Sequence, residues 1–181
     1  MKTLYIVRHA KSSWEYENIK DQDRPLKKRG IKDAHLISKE LSKKITRPDT
    51  FISSSANRAL HTGIIFCENF DFPLVNLKIS KQLYSFNDSY LTKTVKALDD
   101  SFDSAIIFSH DHGINFFVNK YGNKPIAHVA TCGLIAIEFD VKYWKDLKKG
   151  KTTLIEFPNI INKFYFGYKK IRSYRYWLKC C

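Results

Sequence analysis

Residues 1–14 read MKTLYIVRHAKSSW and contain the sharpest change from apolar to polar residues in the chain. Residues 4–7 form an apolar run rich in β-strand formers, and this run ends abruptly in Arg8, His9 and a polar stretch. An apolar run of this length, bounded by polar residues, is typical of a fully buried strand. Because open α/β sheets bind ligands at the carboxyl ends of their strands, the guanidinium and the imidazole predict an oxyanion site there. Phosphate is the preferred ligand.

With 181 residues, the chain is long enough for one domain to bury most of its apolar surface. We therefore predict a single domain over residues 1–181. No apolar stretch is long enough to cross a bilayer, and no export signal is recognisable at the N-terminus. Four cysteines occur without a Cys-x-x-Cys pair, so neither a disulfide framework nor a zinc knuckle is expected. These features predict a cytoplasmic protein without a membrane partner.

The formal net charge is +13, and most of the excess lies after Val141, where eleven Lys and Arg residues face only Asp146 and Glu156. Residues 159–181 form a basic, aromatic tail that we assign to no helix or strand. A basic face attracts nucleic acid, anionic lipid or anionic substrates. A solvated, lysine-rich surface explains the same charge equally well, so net charge alone selects no partner.

Segments with strand and helix patterns alternate along the chain. Apolar residues at helical spacing predict helices at 27–43, 56–69, 89–98 and 114–121. Short apolar runs predict further strands at 50–52, 77–79, 104–108, 131–140 and 152–157. This alternation predicts a three-layer α/β/α sandwich with a mostly parallel central sheet, and we expect the last strand at an edge. Right-handed crossovers would bring the carboxyl ends of the parallel strands to one side.

Two further residues are predicted to lie at that side of the sheet. Arg58 falls in the first turn of a predicted helix, where the helix dipole disfavours a cation unless an anion is bound there. His110 directly follows a predicted buried strand. With Arg8 and Arg58 clamping a tetrahedral oxyanion, His9 would be kept neutral, with a ring nitrogen free to attack phosphorus. The arginines already supply the countercharge, so we expect no metal and no cofactor.

This set of motifs is recognisable. The stretch VRHAKSSW at residues 7–14 resembles the signature of the histidine phosphatase superfamily (branch 1), whose motif is Arg-His-Gly or Arg-His-Ala. Further stretches follow in the order that the family uses: Asp23 to Leu26 with Arg29-Gly30, residues 53–62, Ser109-His110 with Gly113, and Thr131-Cys132. In its short length and its motif RHAKSSW, the chain resembles the SixA-like phosphohistidine phosphatases. The resemblance covers residues 2–157.

The resemblance implies a phosphoglycerate mutase-like fold and a phosphatase with a phosphohistidine intermediate. His9 would be the nucleophile, Arg8 and Arg58 the phosphate clamp, and His110 the group that stabilises the transferred phosphoryl. Ser12 and Thr131 are further candidates for substrate binding. The favoured substrate is phosphohistidine on a protein, and the alternative is a small phosphomonoester. No oligomeric state is predicted.

The chain departs from the family pattern at the general acid. Mutase-type members carry Asn where this chain has Glu15, and the region that supplies their acid is short here and offers only Asp88. Asp111 follows the second histidine, where many SixA-like members have Asn. Glu15, Asp88 and Asp111 are therefore the candidate proton donors. A weak acid fits an N-linked phosphate, because its leaving group needs less protonation than an alkoxide.

Two other interpretations compete with the phosphatase. His110 and His112 could ligate a metal ion, but no third ligand has a matching spacing, and we therefore predict metal independence. Alternatively, the basic tail could make the protein a nucleic-acid-binding or anion-binding module, which we disfavour as the main function. His35, His61 and His128 are expected to be structural or exposed. Trp14 and Tyr84 are candidates for an aromatic rim.

Overall fold

A computed structural model describes residues 1–84 and 89–162. The described residues form one six-stranded sheet flanked by helices. The strands are β1 Lys2–Arg8, β2 Thr50–Ser54, β3 Lys78–Ser80, β4 Ser104–Ser109, β5 Leu134–Phe139 and β6 Lys151–Glu156. The helices longer than four residues are α1 Lys28–Ser42, α2 Asn57–Asn69, α3 Ser89–Lys96 and α4 Asp111–Tyr121, and residues 158–162 are also helical.

The sheet has the strand order β3-β2-β4-β1-β5-β6. The pairs β3-β2, β2-β4 and β4-β1 are parallel, whereas β1-β5 and β5-β6 are antiparallel. β1 therefore lies in the middle of the sheet, with its apolar residues opposite β4 on one side and β5 on the other. β6 lies at an edge, as expected.

Apolar side chains pack on both faces of this sheet. One buried cluster joins the sheet to α3 and α4 and contains Leu91, Phe117 and Trp144. The other joins it to α1 and α2 and contains Ile37 and Phe66. Helices thus cover both faces because each presents an apolar stripe to the sheet. The predicted three-layer α/β/α sandwich with a mostly parallel sheet is confirmed.

The predicted strand at 131–140 begins later than expected. Residues 131–132 form a turn, and Cys132 has a positive φ of 59°. The Cys132 N–H lies 3.1 Å from the carbonyl oxygens of both Arg8 and His9, so this turn binds the main chain at the end of β1. The hydrophobic pattern could not reveal the turn, because Cys132 is itself fully buried.

The loop after β1 is held against the start of α1. The Ser13 N–H donates to the Pro25 carbonyl at 2.9 Å, and the Lys27 N–H donates to the Lys11 carbonyl at 2.8 Å. Gly30, in the first turn of α1, packs directly on Lys11. The loop that follows the opening motif is therefore held in place by contacts with the residues around the start of α1.

Replacing Gly30 by alanine should destabilise the protein by about 1–3 kcal/mol, the usual cost of overpacking. A Cβ atom at this position would lie 2.3 Å from the Lys11 carbonyl oxygen, which is backbone and cannot move independently. The measurement is the free energy of unfolding in urea. Gly113→Ala is the matched control, because its Cβ would approach nothing closer than Leu91 Cβ at 4.0 Å. Equal stability of the two variants would contradict the prediction.

None of the described helices is long and apolar enough to cross a membrane.

Candidate active site

A cavity of about 330 Å³ lies beside the carboxyl ends of β1 and β4. All four residues predicted to carry catalysis are among those that line it. The lining residues are Arg8, His9, Lys11, Ser12, Trp14, Asp21, Arg24, Arg58, His110, Asp111, His112, Gly113 and Thr131. Parallel packing of β1 against β4 brings the two histidines together, although they are a hundred residues apart in the chain.

His9 directly follows β1 and is only 9% exposed. Its Nδ1 lies 2.8 Å from the Ala10 carbonyl oxygen, which can only accept a hydrogen bond, so Nδ1 carries the ring hydrogen. Burial, aided by the positive charges of Arg58 and Arg8, lowers the pKa of His9 to about 3. The ring is therefore neutral at physiological pH, and the Nε2 lone pair is available as a nucleophile.

Arg8, at the end of β1, is anchored through one end of its guanidinium group. Nη1 donates to the Val129 carbonyl oxygen at 2.7 Å and lies 3.2 Å from Asp111 Oδ1 and 3.0 Å from His128 Nε2. Nε is buried and has no hydrogen-bonding partner among the described residues. His128 is exposed, as expected, but no sequence signal linked it to Arg8.

Arg58 is the second residue of α2 and is 5% exposed. Its Nη1 donates to the Asp21 carbonyl oxygen at 2.6 Å, and its Nη2 donates to Asp21 Oδ2 at 3.0 Å. As in Arg8, the buried Nε has no partner within the described part of the chain. In both arginines the protein thus holds at least one terminal nitrogen, whereas the buried Nε has no partner among the described residues.

His110 lies at the end of β4 and precedes α4. Its Nε2 lies 2.8 Å from Ser54 Oγ, whereas Nδ1 is buried without a partner among residues 1–84 and 89–162. The ring centroid is 5.2 Å from that of His9, and the Tyr84 ring lies edge-on to His110 at 5.6 Å. Burial, and secondarily the charge of Arg58, lowers the pKa of His110 to about 3.

The two depressed imidazole pKa values make the fold sensitive to acid. An unfolded histidine has a pKa near 6.5, so between pH 6.5 and 3 the unfolded state binds more protons and stability falls as the pH falls. At pH 4.5 each imidazole should cost about 2.5–3 kcal/mol relative to pH 7.5. We expect His110→Asn to lose less stability between pH 7.5 and 4.5 than the wild type, because the contribution of His110 is removed. The measurement is the free energy of unfolding in urea at both pH values. His61→Asn, a change at an exposed helix position, should behave like the wild type, and identical behaviour of the two variants would contradict the prediction.

Asp21 is one of the site residues that the sequence did not identify, together with Lys11 and Arg24. Its Oδ1 accepts a hydrogen bond from Arg24 Nη1 at 2.8 Å, and its Oδ2 accepts from Arg58 and, at 2.8 Å, from the Tyr84 hydroxyl. Partial burial would raise the pKa of Asp21, but the bonds from Arg24 and Tyr84 and the charge of Arg58 outweigh burial and lower it to about 2. Nothing in the sequence separates Asp21 from its neighbour Asp23, because both lie in the same polar loop.

The two candidate substrate-binding hydroxyls both lie at the cavity. Ser12 is 3% exposed, and its Oγ accepts a hydrogen bond from Arg24 Nη2 at 2.6 Å, which leaves the hydroxyl hydrogen available to a ligand. Thr131 is half-buried in the turn behind Arg8 and His9. Arg24 also donates from Nε to the Ser13 carbonyl oxygen at 2.9 Å, so all three of its nitrogens are bound by the protein.

The three candidate proton donors lie in different places. Asp111 lines the cavity beside Arg8. Glu15 does not line it: its side chain is 72% exposed and pairs with Lys27 Nζ at 2.6 Å. The hydrogen bond from Lys27 also lowers the pKa of Glu15, which counts against a proton-donating role. Asp88 lies outside the described residues.

His110 and His112 both line the cavity, but within the described residues no third side chain is placed to ligate a metal ion with them. Among residues 1–84 and 89–162, no three His, Cys, Asp or Glu side chains cluster in a way that could hold a metal ion. His110 Nε2 is also engaged by Ser54. Metal independence therefore stays a prediction, to be tested by chelation.

The histidine phosphatase superfamily (branch 1) is the family that this chain matches, over residues 4–84. This match confirms the resemblance predicted from the motifs. An uncharacterised chloroplast protein of Arabidopsis thaliana is 39% identical over 61 residues, which make up 34% of this chain and 28% of that protein. The matched stretch thus spans less than a third of that relative.

Several solved structures have similar folds, and two of them are phosphatases of different kinds. The protein histidine phosphatase SixA complexed with tungstate has a TM-score of 0.72 at 16% identity, over 88% of this chain and 99% of that chain. The alpha-ribazole phosphatase from Shigella flexneri has a TM-score of 0.65 at 14% identity, over 86% of this chain and 96% of that chain. At these identities the likeness concerns the fold alone.

Proposed function

Because the chain resembles the histidine phosphatase superfamily (branch 1) in both motifs and fold, we propose that it is a phosphatase whose phosphoryl intermediate forms on His9. The observation that carries the proposal is the state of His9. It is neutral and buried, its Nδ1 hydrogen is fixed by Ala10, and it lies in one cavity with Arg8 and Arg58. A fixed imidazole beside two guanidinium groups is suited to accept a phosphoryl group.

The buried, unpartnered nitrogens of the site support phosphate as the ligand. Nε of Arg8, Nε of Arg58 and Nδ1 of His110 are buried without partners among the described residues. Leaving such a group unsatisfied costs about 1–3 kcal/mol. A tetrahedral oxyanion offers several acceptors in different directions, so one phosphoryl group can satisfy these donors after small side-chain shifts.

The favoured substrate is phosphohistidine on a protein. In the first step, the Nε2 lone pair of His9 attacks phosphorus, and the bond between phosphorus and the substrate nitrogen breaks. If the other ring nitrogen of the substrate is protonated, the departing imidazole keeps the bonding electrons and leaves as a neutral ring. No acid in the enzyme then has to supply a proton, which fits the exclusion of Glu15 from the cavity.

In the second step, water attacks the phosphorus of phospho-His9. The new oxygen–phosphorus bond replaces the nitrogen–phosphorus bond, the electrons return to Nε2, and the proton of the attacking water passes to solvent. Arg8, Arg58 and His110 stabilise the charge on the equatorial oxygens in both steps. Inorganic phosphate and the starting tautomer of His9 are the products.

A second candidate function is hydrolysis of small phosphomonoesters, and Asp111 is the observation that favours it. It is the carboxylate beside the second histidine, and it lines the cavity 3.2 Å from Arg8 Nη1. An alkoxide leaving group needs a proton, and Asp111 is placed to carry one. The name of the alpha-ribazole phosphatase, which has a similar fold, indicates that this enzyme acts on such an ester.

Parallel assays separate these functions. The purified protein is given a phosphohistidine protein and an aryl phosphate, each with and without a chelator. We expect faster turnover of the phosphohistidine protein and no effect of the chelator. A faster aryl phosphatase would favour the second function, and inhibition that added metal reverses would contradict metal independence.

The third interpretation, an anion-binding or nucleic-acid-binding module, depends on a tail most of which lies outside the described residues. Its signature would be binding that weakens steeply with salt and survives His9→Ala. Absence of any phosphatase activity combined with such binding would overturn the proposed enzyme. For localisation we propose the cytoplasm, which the buried, unpaired thiols of Cys67 and Cys132 support.

Asp21→Asn should lower kcat/KM by about 10- to 100-fold, because a small misplacement of a substrate-positioning arginine costs this much. The carboxylate orients Arg58 through Oδ2, and the neutral amide loses one acceptor and the charge. The measurement is steady-state kinetics, together with circular dichroism as a check on folding. Asp23→Asn is the matched control, since Asp23 lies in the same short helical turn but does not line the cavity. Equal kinetics of the two variants would contradict the prediction.

A further inference from the structure

Two properties of Trp14 point to a role in binding. It is 73% exposed, and it lines the cavity that also holds His9, Arg58 and His110. An exposed indole is a large apolar surface in water, and such surfaces concentrate where a ligand or partner binds. The position at the catalytic cavity points to the substrate as that ligand.

The indole is supported from one side by Arg24. The guanidinium carbon lies 3.2 Å from the centroid of the Trp14 ring. Arg24 is only 6% exposed and is held by Ser12, the Ser13 carbonyl and Asp21. A ring stacked on a side chain with all its nitrogens bound is pre-organised, so little conformational entropy is lost when a ligand binds to it.

The other groups that line the cavity indicate which part of the substrate Trp14 contacts. The phosphoryl group itself is matched by the arginines and by His110, and an indole offers it nothing. The part of a substrate that extends from the phosphoryl group toward the mouth is the leaving group. A flat aromatic ring stacks on an indole more favourably than a flexible aliphatic chain does.

We propose that Trp14 binds a planar, aromatic leaving group, namely the imidazole ring of phosphohistidine. This inference rests on the proposed phosphatase function and concerns the leaving group alone. Trp14 is then a specificity-determining residue that separates phosphohistidine from other N-linked phosphates. Its effect is on the choice of substrate, whereas His9 carries out the same bond exchange for every phosphoramidate.

The test compares two phosphoramidates that differ mainly in the shape of the leaving group. Peptides carrying phosphohistidine or phospholysine are given to the wild type, Trp14→Ala and Trp14→Phe, and kcat/KM is measured for each. Trp14→Ala should lose about 5- to 10-fold on phosphohistidine, the size of an aromatic contact, and less than twofold on phospholysine. Trp14→Phe should recover most of the loss, because it restores a flat ring.

Tyr16→Ala is the control, since Tyr16 is an aromatic residue of the same loop that is 57% exposed but does not line the cavity. It should keep the kinetics of the wild type on both peptides. An equal loss of Trp14→Ala on the two substrates, or no loss on either, would overturn the role of Trp14 while leaving the phosphatase intact. A wild type that hydrolyses neither peptide nor an aryl phosphate would overturn the proposed function and this inference together.

Discussion

Replacing His9 by asparagine is expected to lower kcat/KM by at least about 10³-fold, the scale of losses when a catalytic nucleophile is removed. Asparagine keeps a side-chain nitrogen that can donate to the Ala10 carbonyl, so the loop after β1 should retain its shape. It cannot form the phosphoryl intermediate, because an amide nitrogen has no available lone pair. The loss should therefore appear in kcat, with binding of phosphate analogues largely kept.

The phosphoenzyme itself gives a second readout for His9. Acid quenching destroys phosphohistidine, so the intermediate is trapped at alkaline pH from a substrate labelled in the phosphoryl group. The wild type and His61→Asn should carry the label, and His9→Asn should carry none. Label that persists in His9→Asn, or unreduced turnover by this variant, would show that another residue is the nucleophile.

Replacing Arg58 by alanine is expected to lower kcat/KM by about 10²- to 10³-fold, the usual cost of losing one pre-organised donor to a developing oxyanion. Two effects add at this position. The phosphoryl group loses a positive charge and the Nε donor, and Asp21 loses the guanidinium that pairs with Oδ2 at 3.0 Å. The freed carboxylate then faces a cavity that must bind an anion, so KM should rise as kcat falls.

Arg58→Lys separates the charge from the geometry of the guanidinium. An ammonium group keeps the charge but cannot contact Asp21 with two nitrogens and the phosphoryl group with a third. We therefore expect the lysine variant to recover less than a tenth of the lost activity. Arg29→Lys is the control, because the Arg29 side chain is 76% exposed on α1. Full activity of Arg58→Lys would show that charge alone matters at this site.

The fold was accessible from the sequence because its signals are local. Residues 4–7 and 104–108 are apolar and short, and the helices between them have clear apolar faces. Parallel strands joined through helices leave few topologies, so the sequence could also predict that His9, Arg58 and His110 meet at one side of the sheet. The structure brings these residues to one cavity.

Other contacts in the site are made by residues that no apolar run or helical face in the sequence indicates. Asp21 lies in a short helical turn and His128 in a loop, and in such polar segments neither period nor spacing indicates which way a side chain points. Asp21 becomes important only because Arg58, 37 positions later, reaches back to it. Glu15 is the opposite case: its place in the motif suggested chemistry, but its carboxylate is exposed and pairs with Lys27.

The position of β1 has a consequence for how the protein folds. β1 lies in the middle of the sheet, yet its partners there are β4 and β5, which begin far along the chain at Ser104 and Leu134. The surroundings of His9 are thus complete only once these two distant strands have paired with β1. Until then the chain has an exposed apolar strand and no working site. Contacts so distant in sequence also predict slow folding, and recovery of activity during refolding would report on the final docking of the sheet.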